Sequence, residues 1–445
     1  MKRFTGTTAG VCFALALTLA LPGCRKDDGR IQLSVLNYFS LATPGASAEI
    51  SRVWEAFDKA NPDIKVVRED AFEEPFHLTT EAYAAAGELP DVIYVWPGGR
   101  STTLHSRGLL RDLTPFIARD GLADKFTPVS LDPANQAGGY LAMIPLGMTT
   151  TSAFYANTEV LAEAGLQLAG TYAELVAQVP VLRARGLETV IMANADTWVM
   201  QSCLFSMIAG RFGGEGWEQK ILDGSAKFTD PEFVDALRFI RRMYTDGVLS
   251  QATLATSYGD TPGMFATNRG AYMIDGDWRS GAFITDPSTG SALISPARQR
   301  NFLIGVFPAI QGAKLNNSAS VVMSTGWAMS NSVPPGSDRE DAAWRLISWL
   351  TGREVQTFMF GSGGLPSPSR TDVDIASMPL EPLQIAVANI GKTFDKSTVV
   401  IDSAFEGPVY TPLNDGLQAI GLGTQTPEQV ARITQAAFDA WKAAR

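Results

Sequence analysis

Histidine and cysteine are nearly missing from this sequence. Its 445 residues hold two histidines, His77 and His105, and three cysteines, Cys12, Cys24 and Cys203. A His/Cys metal site needs several such ligands close together, and this sequence does not supply them. Cys203 stands in an apolar, helix-like run, Cys203–Ala209, and reads as a small core residue. Basic clusters are missing too. Lys and Arg number 36 against 46 Asp and Glu, a net charge of −10, and no basic run is longer than Arg241-Arg242. Phosphate backbones are bound by clustered Lys and Arg, so nucleic acid is excluded as a partner. The glycine pairs Gly98-Gly99 and Gly363-Gly364 are not followed by Gly-Lys-Ser/Thr, so neither is a phosphate loop, and no Gly-x-Ser-x-Gly nucleophile motif occurs. No cofactor is implied.

What remains is an ordinary globular composition, 45% hydrophobic and 18% charged, with length enough for two or more domains. The N-terminus differs from the rest. Lys2 and Arg3 precede the apolar run Val11–Leu21, which is of signal-peptide length and too short to span a bilayer. It ends Leu21-Pro22-Gly23-Cys24, which resembles a bacterial lipobox. That resemblance makes residues 1–23 a leader, Cys24 the lipidated first residue of the mature chain, and residues 24–30 a tether. The alternative is a plain signal peptide with a chance cysteine. Loss of Lys2 and Arg3 takes the charge from −10 to −12. The chain is expected to be exported, lipid-anchored to the bacterial cell envelope, and monomeric.

The first stretch alternates. Ile31–Leu36 reads as a strand, and Ile50, Val53, Trp54 and Phe57 mark one face of a helix over 48–60. A strand at 64–68, a helix at 72–86 and a strand at 89–95 follow, the pattern of a parallel, doubly wound α/β unit. Further strands are expected at 141–145, 149–155, 189–192, 271–274, 302–307 and 321–330. Helices are expected at 158–164, 172–185, 231–246, 343–360 and 430–444. Two strand exits stand out. Val92–Val95 runs into Trp96-Pro97-Gly98-Gly99, and Ala271–Ile274 runs into Asp275-Gly276-Asp277-Trp278. In open α/β sheets ligands lie beyond the carboxyl ends of the strands, so each exit offers an indole to a crevice.

The order of short signals resembles that of the extracellular solute-binding proteins of carbohydrate ABC importers, of the maltodextrin-binding kind. The stretches that carry it are FDKANPDIKV (57–66), ELPDVIYVW (88–96), GLLRDLTPFI (108–117), YLAMIPLG (140–147), FYANTEVLAEAGL (154–166), FTDPEFVDALRFI (228–240), NRGAYMIDGDW (268–278), IGVFPAI (304–310) and SGGLPSP (362–368). The resemblance implies an α/β fold of two doubly wound lobes joined by a hinge of crossing strands, periplasmic-binding-protein-like, with ligand buried on closure. Crossings are expected near 141–145, 305–309 and 385–397. Lobe I would then comprise 31–140 plus 310–384, and lobe II 141–309 plus 385–445.

Sugars present flat apolar faces rimmed by hydroxyls, so a site needs aromatic rings and hydrogen-bonding side chains. By the resemblance, Trp278 stands at a Gly-x-Trp position that stacks sugars in relatives. Trp96 lies near another stacking position, with Arg100 following at a different offset, and Trp198 follows a strand as aromatic subsites do. Asp275 and Asp277 are placed to accept hydroxyl protons or to end the sheet. Trp327 is placed in cleft or core alike. Tyr38 and Phe39 leave the first strand toward ligand, and Phe405 is a further candidate. Trp54, Trp217, Trp344, Trp349 and Trp441 read as packing. The expected function is an anchored receptor that captures a carbohydrate, di- or oligosaccharide, for ABC permease subunits. Two alternatives stand beside it: an exported carbohydrate-active enzyme using paired carboxylates, and a receptor that presents ligand to a signalling partner.

Overall fold

A computed structural model describes residues 28–136 and 138–444. The leader and the lipidation site at Cys24 lie outside the described residues, as does the start of the tether. Twelve strands form among the described residues: β1 (Ile31–Tyr38), β2 (Ile64–Ala71), β3 (Val92–Val95), β4 (Met143–Pro145), β5 (Met148–Thr150), β6 (Ala153–Asn157), β7 (Glu188–Ile191), β8 (Gly270–Asp275), β9 (Phe302–Gly305), β10 (Ser318–Met323), β11 (Gly326–Met329) and β12 (Lys396–Thr398). They make three sheets. The first, in the order β2-β1-β3-β11-β4, is parallel across β2, β1 and β3 and antiparallel at β11. The last has the order β7-β8-β6-β9, and a small middle sheet has the order β12-β10-β5.

Both outer sheets are covered on two faces, the first as its parallel strands require and the last although only β7 and β8 run parallel in it. Alternate residues of β1 separate accordingly: Leu33 and Val35 join Val53, Phe57 and Leu346 on one face, while Leu36 joins Phe76, Ile93 and Leu104 on the other. In the last sheet Phe154 and Ala156 of β6 face Phe239 and Leu237, and Ala153 and Tyr155 face Phe265 and Phe283. The covering helices carry the start signals their sequences announce. Ser337 caps the helix Asp338–Leu350, whose first turn holds Asp338, Glu340 and Asp341. Thr171 and Glu174 form a capping box on Tyr172–Ala184, which tolerates Pro180 within it. The result is two doubly wound α/β lobes joined through the middle sheet.

The crossings fall elsewhere than expected. Leu141–Pro145 belongs with the first lobe, since β4 pairs only with β11 of the first sheet. The chain changes lobe through β5, and the expected strand 149–155 is divided between β5 and β6. Gly305–Ala309 stays with the second lobe, where Phe307 and Ile310 are buried. Arg211 of the helix Ser206–Gly213 is fully buried and donates to the carbonyls of Phe307, Pro308 and Ser318, at 2.8, 2.8 and 2.9 Å, which holds this loop to the second lobe. The return passage is β10, which turns at Ser324-Thr325 into β11. The third passage precedes 385–397, because Leu365 packs in the first lobe and Leu383 already packs with Phe302 and Ile304 of the second. Polar residues mark the changes of sheet: Ser320 N donates to Ser152 Oγ at 2.8 Å, and the Thr151 and Ser320 hydroxyls are 2.9 Å apart.

Candidate ligand-binding site

On the first lobe, β1 and β3 run parallel, so Tyr38 and Trp96 emerge at the same sheet edge. Their rings meet edge to face at 4.8 Å. The register pairs Tyr38 with Ala71, which brings Phe72 within 4.6 Å of the Tyr38 ring. Phe76, His77 and Tyr94 complete the cluster, with His77 4.8 Å from Trp96 and Tyr94 5.4 Å from it. Trp96 and Tyr38 are both partly exposed. Glu73 follows Phe72 with φ of 54°, a strained conformation for a side-chain-bearing residue, at the edge of this aromatic face. Sequence reading missed Phe72 and His77; the parallel register that places them depends on β2, whose partner cannot be inferred from its own residues.

On the second lobe, β8 ends at Asp275 and the chain turns at Gly276. The Trp278 indole folds back onto Gly276, where any Cβ would overlap its ring carbons. Its Nε1 donates to Tyr258 Oη at 2.6 Å, and Trp198 lies 5.0 Å from Tyr258 and 6.4 Å from Trp278. All three rings are partly exposed. Beneath them, Arg279 sits 3.6 Å over the Tyr258 ring and donates through Nε to Asp275 Oδ2 at 2.6 Å. Asp275 is 1% exposed and also takes the Gly276 N–H at 2.8 Å, so it braces the turn and does not face solvent. Asp277 is equally buried. Its Oδ2 accepts from Thr150 N of β5 at 2.7 Å, and burial pushes its pKa up to about 8. The Cys203 thiol is 3.9 Å from Asp275 Oδ1, fully buried, and pushed well above its ordinary pKa by that burial.

Three candidates are corrected by their packing. Trp327 is 4% exposed, edge-on to Tyr94 at 5.2 Å and Trp54 at 5.8 Å, within the first-lobe core. Phe405 is fully buried, 5.2 Å from Phe228 and 6.0 Å from Phe438, because its segment packs under the C-terminal helices. Phe39 is covered by Arg68, whose guanidinium lies 5.2 Å over the ring.

The lobes meet directly. The turn Gly98–Ser101 of the first lobe lies against the helix Ile401–Ala404 of the second, and a Cβ on Gly98 or Gly99 would overlap the carbonyls of Ser403 and Phe405. Arg100 donates from Nε to Asp402 Oδ2 at 2.9 Å, and its Nη2 lies at the same distance from that oxygen in an ion pair. Its Nη1 is 3.3 Å from His77 Nε2, and the Tyr410 ring is 5.8 Å away. A second contact joins Gly45 N to Asp286 Oδ2 and Ala48 N to Ser288 Oγ, each at 3.0 Å. The lobes thus touch at two places, and each carries an aromatic cluster. No helix among the described residues is long and apolar enough to cross a membrane.

Comparison with known proteins agrees with this architecture. A family model described as bacterial extracellular solute-binding protein matches residues 53–379. A probable sugar-binding periplasmic protein of Rhizobium meliloti (strain 1021) is 22% identical over 381 residues, which cover 84% of this chain and 83% of that protein. A solved structure from work on xylan utilization by the thermophilic bacterium Caldanaerobius polysaccharolyticus is 22% identical, with a TM-score of 0.81 over 91% of this chain and 99% of the other. A chitin oligosaccharide binding protein is 20% identical, with a TM-score of 0.80 over 92% and 98%. The structural likenesses establish the two-lobed fold, and with the family match spanning most of the sequence, this chain belongs to the bacterial extracellular solute-binding proteins.

Proposed function

We propose that the protein is the lipid-anchored receptor of an ABC importer, capturing a di- or oligosaccharide between its lobes and delivering it to membrane permease subunits. The observation that carries this reading is the pair of partly exposed aromatic clusters, Tyr38-Phe72-Trp96 on one lobe and Trp198-Tyr258-Trp278 on the other. Indole and phenol faces stack on the CH faces of sugar rings, and two such platforms on separate lobes desolvate a ligand most fully when the lobes meet. Relatives named for sugar and chitin-oligosaccharide binding support the ligand class. Cys24 supplies the anchor, and the chain works as a monomer.

Ligand is bound without being converted. Asp275 is committed to Arg279 and Asp277 to Thr150 N, which leaves neither placed as an opposed catalytic carboxylate. The test is a thermal-shift and titration screen with neutral di- and trisaccharides, including maltotriose, xylotriose and chitotriose. A saccharide that binds the folded state raises its melting temperature. One or more should do so without product formation. Sustained turnover, lost in Asp277→Asn, would falsify the receptor reading.

A further inference from the structure

We propose that Asp402, by holding Arg100 in a neutral pair at the junction of the lobes, sets the preference of this receptor for uncharged saccharides over uronates. The inference rests on the receptor reading and deepens it. Arg100 adjoins the Trp96 face through His77: its Nη1 lies 3.3 Å from His77 Nε2, and the His77 ring is 4.8 Å from that of Trp96. A free guanidinium there would be a fork for a sugar carboxylate. Asp402 occupies that fork from the opposite lobe. Burial disfavours the charge on Arg100, and the Asp402 carboxylate beside it more than restores it, so the guanidinium's pKa stands above its ordinary value. The side chains are only 19% and 10% exposed.

The other arginines at the aromatic faces are equally committed. Arg279, beneath the second-lobe rings, pairs with Asp275, and Arg68, over the buried Phe39 and Trp54, pairs with Asp70 through Nη2 at 2.9 Å. His77 brings no charge at neutral pH, since burial and then Arg100 push its pKa down to about 4. An anionic ligand would have to strip Arg100 from Asp402 and leave a buried carboxylate without its partner, which is strongly unfavourable. A hydroxyl faces no such conflict. Both guanidinium contacts, the Nε hydrogen bond and the Nη2 ion pair, fall on Oδ2, so the second carboxylate oxygen can accept from a sugar hydroxyl while the pair stays intact.

The experiment titrates the mature protein with the neutral trisaccharides of the screen and with trigalacturonate. The wild type should bind at least one neutral trisaccharide about tenfold or more tighter than the uronate. In Asp402→Asn, freeing Arg100 for a charge-assisted bond should strengthen trigalacturonate binding by about tenfold while neutral binding changes less. Arg100→Gln placed in that background should remove the gain. Equal or tighter binding of trigalacturonate by the wild type overturns the inference, as does a folded Asp402→Asn protein with an unchanged ratio. If that variant does not fold, the wild-type ratio decides alone. Binding of the uronate only leaves the receptor reading standing and ends this one. No binding of any saccharide, neutral or acidic, ends both.

Discussion

The carboxyl of Asp277 accepts a hydrogen bond from Thr150 N at 2.7 Å, which ties the end of β8 to a strand of the middle sheet. Burial raises its pKa to about 8, while an unfolded chain returns it to near 3.8. The folded state therefore holds its proton more tightly than the unfolded state does. Its stabilising influence is full below the unfolded value and is lost as pH rises through about 8. Asn keeps the acceptor and cannot ionise. The melting temperature of Asp277→Asn minus that of wild type should increase from pH 5 to about pH 8 and level off above it. A difference that is flat across this range would show that Asp277 does not titrate in the folded protein.

Aromatic substitutions should divide into two kinds. Trp278→Ala and Trp96→Ala should weaken the identified saccharide by roughly 2–4 kcal/mol, the scale of a buried aromatic anchor. Both should reduce ligand-induced compaction in small-angle scattering. Trp327→Ala and Phe405→Ala should instead cost roughly 3–5 kcal/mol of stability in denaturant unfolding, because each leaves a core cavity. Titration of their folded fraction should return near wild-type affinity.

Gly276→Ala tests how Trp278 is held. A methyl there overlaps the indole, so the ring must leave its place and its bond to Tyr258. Affinity should fall in the direction of Trp278→Ala, with tryptophan emission shifted before ligand is added. An unchanged spectrum and unchanged affinity would mean that the ring does not depend on the glycine.

The junction of the lobes yields a further prediction. Gly98→Ala and Gly99→Ala each set a methyl against backbone carbonyls that have no room to retreat. With saccharide bound, these variants should show a larger radius of gyration than wild type, and so less compaction on binding. Wild-type dimensions in both states would place this contact outside the closing movement.

Export is checked separately. Cys24→Ala should release the protein from the membrane fraction or leave it unprocessed in cell fractionation. A variant that matures and fractionates like wild type would remove the lipid anchor from the proposal.

Much of the lobe architecture is legible locally. Apolar periodicity places β1 to β3 and the helices from about residues 172, 231 and 343, because period is a property of neighbouring residues, although the expected helix 343–360 is in fact two, Asp338–Leu350 and Arg353–Gly361. The hinge is not legible in this way. The expected strands 149–155 and 321–330 each read as one strand, yet each changes sheet at a pair of small polar residues, Thr151-Ser152 and Ser324-Thr325. Only the partner strand reveals the change. The helix Gly407–Leu422 was equally hidden, since Gly407, Pro408, Pro412, Gly416 and Gly421 argue against one. Gly416 is there because Val430 of the next helix packs onto its backbone. In the candidate site, strand exits point to Trp96, Trp198 and Trp278. Tyr258 and Asp402 are loop and short-helix residues whose roles arise from distant partners, as is Arg100's attachment to the opposite lobe. Trp327 and Phe405 mislead because an aromatic beside small residues looks alike whether it faces a cleft or a core.

The middle sheet has a thermodynamic consequence. β5 is separated by two residues from each of its flanking strands, β4 in one lobe and β6 in the other, and β10 is separated by two from β11. Because β5 and β10 are also paired along three residues, with β12 on the far side, the linkers cannot flex as independent tethers. A joint of paired strands restricts the lobes to a narrow family of bending motions. The open state is then a limited set of related conformations, and little conformational entropy remains to be lost on closing. Free energy from stacking a ligand is accordingly expressed as affinity, with little of it consumed in ordering the chain.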